Sequence, residues 1–177
     1  MAAASLVIGA GCAHAPKTQH QAQAIESEAE ATLNTMVARD PSLQNVLADA
    51  AGYVVFPEVG KGGAIVGGAR GIGVVYENGQ PIGYAELTQA SIGLQLGGQT
   101  FSELIVFDNE QALARLKSGD LDVTANASAV ALSSGAGAQA DFQGGSEVFY
   151  LSRGGLMAGL DVAGQKINFK PEPPPHQ

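Results

Sequence analysis

The sequence predicts an α+β domain: an antiparallel, strongly curled β-sheet of about seven to nine strands, barrel- or sandwich-like, with two N-terminal helices and one inserted helix. Three observations carry this expectation. Apolar residues recur at helical spacing between Ile25 and Ala50, the period changes to two after Gly52, and glycine pairs interrupt good strand patterns. Residues 91–107, SIGLQLGGQTFSELIVF, show the last point: Gly97 and Gly98 break an otherwise continuous β-forming run. A strongly bent sheet uses glycines and bulges where strands turn corners or pack closely.

The first helix is expected from about Ile25 to Arg39. Ile25, Ala29, Leu33, Met36 and Val37 form its apolar stripe, and Glu26 and Glu30 share a face read as solvated. Asp40-Pro41 reads as an N-cap with proline at the first helical position, Leu43, Val46, Leu47 and Ala50 form the next stripe, and Gly52 is placed as the C′ residue. Tyr53–Phe56 then reads as a short strand closed by Pro57. Asn78-Gly79 is the best hairpin signal in the chain and is expected to join Ile72–Tyr76 to Ile82–Leu87. The inserted helix is expected after Asp108 as its cap, with Gln111 in the capping-box position, Ala112, Leu113 and Leu116 inward and Gly119 at its end. Alternation resumes from Leu121 to Leu132. SSGAGAQA at 133–140 reads most simply as a loop, and strands over Glu147–Ser152, Leu156–Val162 and Gln165–Phe169 complete a meander.

At 177 residues the chain suits one domain, set here at 25–170. It is flanked by a leader (1–15), a flexible tether (16–24) and a proline-rich, disordered tail (171–177). Met1–Gly11 is apolar and small, with no charge before Lys17, which suits export and is too short to span a bilayer. Two processing readings remain open. Ala10-Gly11-Cys12 resembles the end of a bacterial lipobox, with Gly9 departing from the usual Leu, and would make Cys12 a lipid-attachment site. Ala13-His14-Ala15 is an A-x-A cleavage site that would release a secreted chain. The lipobox reading accounts for a single unpaired cysteine in an exported protein.

Charge and residue types exclude several classes of function. Lys and Arg number 9 against 17 Asp and Glu, and the cations form no run, so a nucleic-acid footprint is absent. His14, His20 and His176 lie in expected tails, and Cys12 is in the leader. Cys–His and Ser–His–Asp hydrolysis and the usual zinc sites therefore lack their residues. Glu58, Glu86, Glu103, Asp108 and Asp141 are the carboxylates that a glycosidase-like pair would draw on, yet the chain has no Trp for a sugar platform. The run GKGGAIVGGARGIG fits neither phosphate-loop spacing. Neither a cofactor, a metal nor an enzymatic activity is expected. Lys61 and Arg70, the only two cations between Arg39 and Arg115, lie near glycine turns and are the candidate contacts for a lipid phosphate or another anion.

Four segments, GYVVFPEVGKGGAIVGGARGIGVVY, PIGYAELTQASIGLQLGGQTFSELIVF, NEQALARLKSG and GLMAGLDVAGQKI, resemble in order the blocks of the SYLF domain family, from about Leu43 to Ile167. Gly67, Gly68, Gly93, Gly97 and Gly98 are the structural glycines of that signature. The resemblance implies a lipid-binding domain. Eukaryotic relatives bind phosphoinositide membranes and help organise actin, while bacterial relatives look like exported envelope lipoproteins. In the former, binding is tied to a basic amphipathic N-terminal segment, where this chain has Glu26, Glu28 and Glu30. What carries over is contact with membrane lipid or another envelope amphiphile, the outer membrane being the favoured location. The alternative is a scaffold that binds an envelope protein through a strand edge or the proline-rich tail.

Overall fold

The computed structural model describes residues 15–61, 69–89, 100–119, 121–123, 130–131, 145–152, 155–158 and 165–171. They form three helices, α1 (Gln19–Arg39), α2 (Leu43–Asp49) and α3 (Glu110–Ser118). Nine strands accompany them: β1 (Gly52–Lys61), β2 (Ala69–Glu77), β3 (Gln80–Gln89), β4 (Phe101–Phe107), β5 (Leu121–Val123), β6 (Val130–Ala131), β7 (Ser146–Ser152), β8 (Gly155–Ala158) and β9 (Gln165–Pro171). The strands make one antiparallel sheet in the order β5-β9-β3-β2-β1-β4-β7-β8-β6. The α+β class holds. The body of the sheet is the six longer strands from β9 to β7, and nine is reached only with three short strands of two to four residues. Closure into a barrel does not occur: among the described residues β5 pairs only with β9 and β6 only with β8.

The open sheet is nevertheless bent. β4 and β9 are four strand spacings apart in hydrogen-bonding order, roughly 19 Å in a flat sheet. Yet the Gln165 side-chain amide donates to Glu103 Oε2 at 3.1 Å. Residue size explains the bend. On the inner face of β2 stand Ala69, Gly71 and Gly73, and a Cβ on Gly73 would come within 2.8 Å of Phe56 Cδ1, one on Gly71 within 2.9 Å of Val59 Cγ2. Small residues on one face let the opposing walls approach, so the apolar inner residues of β1, β2, β3, β4, β7 and β9 join one buried cluster. α3 closes one end of this interior with Ala112, Leu113 and Leu116. α1 and α2 cover part of the outer face, where Ala22, Ala29, Met36 and Leu43 pack on Val55, Val74, Tyr84, Leu104 and Val106.

Several boundaries differ from expectation for identifiable reasons. Helix α1 begins at Gln19, inside the stretch 16–24 read as a tether: Thr18 caps it by accepting from Gln21 N, and Ala22 is buried. Its first turns bury only alanine, so they carry no apolar period. Asp40 is not the cap of α2 but holds a turn before it, accepting from Ser42 N and Ser42 Oγ. Gly52 opens β1 instead of ending a helix, and a Cβ there would strike Tyr76 O and Leu113. Pro57 does not close its strand. β1 continues to Lys61 through a bulge at residues 55–59, which accommodates the missing N–H. Asn109, not Asp108, caps α3 by accepting from Ala112 N, which moves Gln111 out of the box position. Gly119 ends that helix in the left-handed conformation, as expected. The Asn78-Gly79 hairpin also forms as expected, with φ of 52° and 74°. Leu121–Leu132 is described only as β5 and β6, and β8 ends at Ala158. The loop assigned to 133–140 and the tail beyond Pro171 lie outside the described residues.

Among the described residues Glu103 is the one acid fully buried in the interior. Burial, offset only in part by the Gln165 bond, pushes its carboxyl up to about 8 from 4.5. Its Oε1 and Gln165 Oε1 have no hydrogen-bond partner. The folded chain therefore keeps a proton that the unfolded chain releases. Stability is expected to fall as pH rises from about 4.5 to about 8, roughly tenfold in the folding constant per pH unit, and to level off above. Urea midpoints of the wild type and Glu103→Gln across that range check this, the variant losing the slope. Gly73→Val, which places a branched side chain against Phe56 and Val54, is expected to cost about 1–3 kcal/mol in the same assay.

Candidate functional site

α1 and α2 cover one part of the outer face, and no described helix covers the rest. Where β2, β3 and β9 run out beyond the start of α1, their outward residues pair in rows. Ile72 stands opposite Glu86, and Glu86 opposite Asn168. Two residues further along, Arg70 stands opposite Thr88, and Thr88 opposite Lys166. Arg70, Thr88 and Lys166 are all exposed. Cross-strand neighbours sit about 5 Å apart, so the two cations flank the threonine roughly 10 Å from each other. Lys170 is exposed on the same side of β9, opposite Tyr84.

The start of α1 borders this surface. Ala15 N donates to Glu86 Oε1 at 2.8 Å, Pro16 is buried, and Lys17 is exposed. A groove of about 600 Å³ lies here, lined by Ala15, Pro16, Lys17, Gln21, Ala24, Ile25 and Ile72. Its lining is mostly apolar, with Lys17 and Gln21 as the polar side chains, and the Arg70–Lys166 row lies two residues along the strands from Ile72. The acids nearby are partly engaged. Glu86 holds Ala15; Glu58, opposite Ile72 on the other side, is exposed; and Asp122 of β5 stands opposite Lys166, so the row runs Arg70–Thr88–Lys166–Asp122.

Lys61 and Arg70, singled out from the sequence, sit at adjacent levels of the β1–β2 ladder. Lys61 pairs with Ala69 and Arg70 with Gly60, so the two positions alternate between the faces of the sheet. The cation that shares a row with Arg70 is Lys166. Alternation in Gln165–Phe169 carried the signal for it, since Gln165 and Ile167 are buried and Lys166 is exposed. The pairing of β9 with β3, which brings Lys166 beside Arg70, links residues far apart in sequence. Cys12, Gly67, Gly68, Gly93, Gly97 and Gly98 lie outside the described residues.

The acidic face of α1 differs from expectation. Glu26 is half-buried and accepts a hydrogen bond from Tyr84 Oη at 2.6 Å, so it helps seat the helix on the sheet. Tyr53 and Tyr76 stack beside it with centroids 4.9 Å apart. Desolvation, then Tyr53, Glu26 and Glu30, push the Tyr76 hydroxyl up to about 12, so it stays a neutral donor. The described carboxylates considered for hydrolysis do not all lie on one face. Glu103 faces the interior, while Glu58 and Glu86 stand on the outer face with Ile72 between them. Asp141 lies outside the described residues. His20 is exposed on α1. Among the described residues no group of three or more His, Cys, Asp or Glu is placed to hold a metal ion, and no helix is long and apolar enough to cross a membrane.

No curated protein matches the chain. Residues 88–172, from the end of β3 through β9, match the model of the family described as Ysc84, Las17-binding protein actin regulator, the SYLF domain.

Proposed function

We propose that this protein is a non-enzymatic, lipid-binding module of the bacterial cell envelope, exported and anchored through an acylated Cys12. The observation that carries the reading is the exposed Arg70–Thr88–Lys166 row beside an apolar-floored groove, on a face that also presents Lys17 and Lys170. The SYLF match over 88–172 supports the same class of ligand. Four cations near a lipid surface contribute about 1 kcal/mol each at low salt. The net charge of −8 and the acids Glu58, Glu86 and Asp122 on the same face oppose this, and low salt strengthens both the attraction and the repulsion. Arg70 remains a headgroup contact, now with Lys166 as its partner, and Lys61 lies one level along the neighbouring strand. The outer membrane is the favoured site of attachment, with the folded domain in the periplasm or at the surface.

A protein-binding scaffold is the second reading. What favours it is the description of the matched family, which names a bound protein. A protein partner that co-purifies and survives delipidation would select this reading over the first.

The full chain carrying Cys12→Ser, and therefore without an anchor, is expected to co-sediment with phosphatidylglycerol vesicles at low salt and to be released by high salt. Arg70→Gln and Lys166→Gln are each expected to weaken binding about fivefold, the equivalent of about 1 kcal/mol per cation. Absence of sedimentation with any vesicle at low salt would refute lipid binding by the folded domain.

A further inference from the structure

One polar pair in the interior is bonded on one side only. Glu103 on β4 and Gln165 on β9 are 0% and 1% exposed, and Gln165 Nε2 donates to Glu103 Oε2 at 3.1 Å. The other oxygen of each group, Glu103 Oε1 and Gln165 Oε1, has no hydrogen-bond partner. While the carboxyl is ionised both are acceptors, so neither serves the other. A single proton changes this, because a carboxylic acid and a primary amide present matching planar forks, each with one donor and one acceptor. A proton on Oε1 meets the amide carbonyl and satisfies both oxygens at once. We propose that Glu103 and Gln165 close a cyclic acid–amide pair, with Oε1–H donating to Gln165 Oε1, and that this pair is a pH-operated latch holding β9 to β4 across the bend.

The surroundings leave a proton as the group that completes the pair. Along the inner face Glu103 stands between Phe56 of β1 and Tyr150 of β7, and Gln165 stands opposite Val123 of β5. Tyr150 is the titratable neighbour, its ring edge-on to Phe101 with centroids 5.5 Å apart. Lys61 of β1 occupies an inner-face position in the same row as Gln165, through Ala69 and Gln89. α3 turns Ala112, Leu113 and Leu116 inward, keeps Glu110, Arg115 and Lys117 exposed, and pairs Lys117 with Glu77 at 2.7 Å. Burial raises the Glu103 carboxyl to about 8 against the lowering bond from Gln165, so the latch is closed below that pH. Above it the proton leaves to water, an ionised oxygen faces the amide carbonyl, and β9 parts from β4 as water enters. The β3–β9 ladder stays paired, which makes the opening local. Such a device goes beyond the lipid reading and does not depend on it.

Two readouts on the full chain carrying Cys12→Ser test the latch. The first is the Glu103 Cδ resonance in a carbon-13 NMR titration, identified by its absence in Glu103→Gln. The second is the distance between spin labels on Thr100→Cys and Lys166→Cys, both exposed positions, followed by pulsed electron paramagnetic resonance on either side of pH 8. Cys12 is the chain's sole cysteine, so only the two introduced thiols are labelled. Glu103 is expected to titrate near 8, and the label distance to lengthen with the same midpoint by about 3 Å, the width of one intervening water. Glu103→Gln supplies at every pH the donor and the acceptor that the cyclic pair needs, and is expected to hold the short distance throughout. Lys61→Met is expected to leave the midpoint in place. Titration of Glu103 in the ordinary carboxylate range, a constant distance through its titration, lengthening that persists in Glu103→Gln, or a midpoint raised by Lys61→Met would each overturn the proposal. No lipid is present in either measurement, so failure here is distinct from failure of the vesicle assay above.

Discussion

The concave face of β2 is where the rest of the structure is decided. Ala69, Gly71 and Gly73 leave so little side chain there that Val59 and Phe56 of β1 pack almost onto the β2 backbone. That close approach bends an open sheet until β4 and β9 exchange a side-chain hydrogen bond through Glu103 and Gln165. A flat sheet of the same order would leave the inner apolar residues of β4 and β9 in separate patches. The bend gathers them into one core, gives α3 an end to plug, and leaves a convex outer face for α1 and α2. The cost is carried at Glu103, a buried acid kept neutral by its surroundings.

The bend also decides what the outer face can do. α1 and α2 cover only part of it, seated by alanines, Met36 and the Glu26–Tyr84 hydrogen bond. Beyond the start of α1, no described helix covers β2, β3 and β9, which turn Arg70, Thr88 and Lys166 outward while their inner residues stay buried. Strands with this alternation place Arg70 and Lys166 on one row without any local basic run. That is how a chain of net charge −8 brings two cations together, with Asp122 opposite Lys166 at the end of the row.

Local features were legible in the sequence to the extent that local chemistry determined them. The Asn78-Gly79 turn, the αL end of α3 at Gly119 and the β2–β3 hairpin all rest on residues adjacent in the chain. Pro57 misled because a bulge, a property of the pairing with β2 and β4, absorbs its missing donor. The early start of α1 was illegible because alanine packed against a sheet leaves little hydrophobic period. The seating of Glu26 on the sheet was hidden too, since its partner Tyr84 is 58 residues away. At the site, Arg70 was legible as an isolated cation, but its neighbour Lys166 depends on β9 closing beside β3, which joins distant parts of the chain. Sheet order is a long-range property that hydrophobic period does not encode.

The central claim is that anionic lipid meets this protein on the open outer face of β2, β3 and β9. The most direct measurement is a two-dimensional amide NMR titration of the anchor-free chain with phosphatidylglycerol nanodiscs, following each described residue. The account predicts that broadening and shift changes concentrate at Lys17, Arg70, Ile72, Thr88 and Lys166 and spare α3. Changes centred on α3, or none at any lipid concentration, would contradict it.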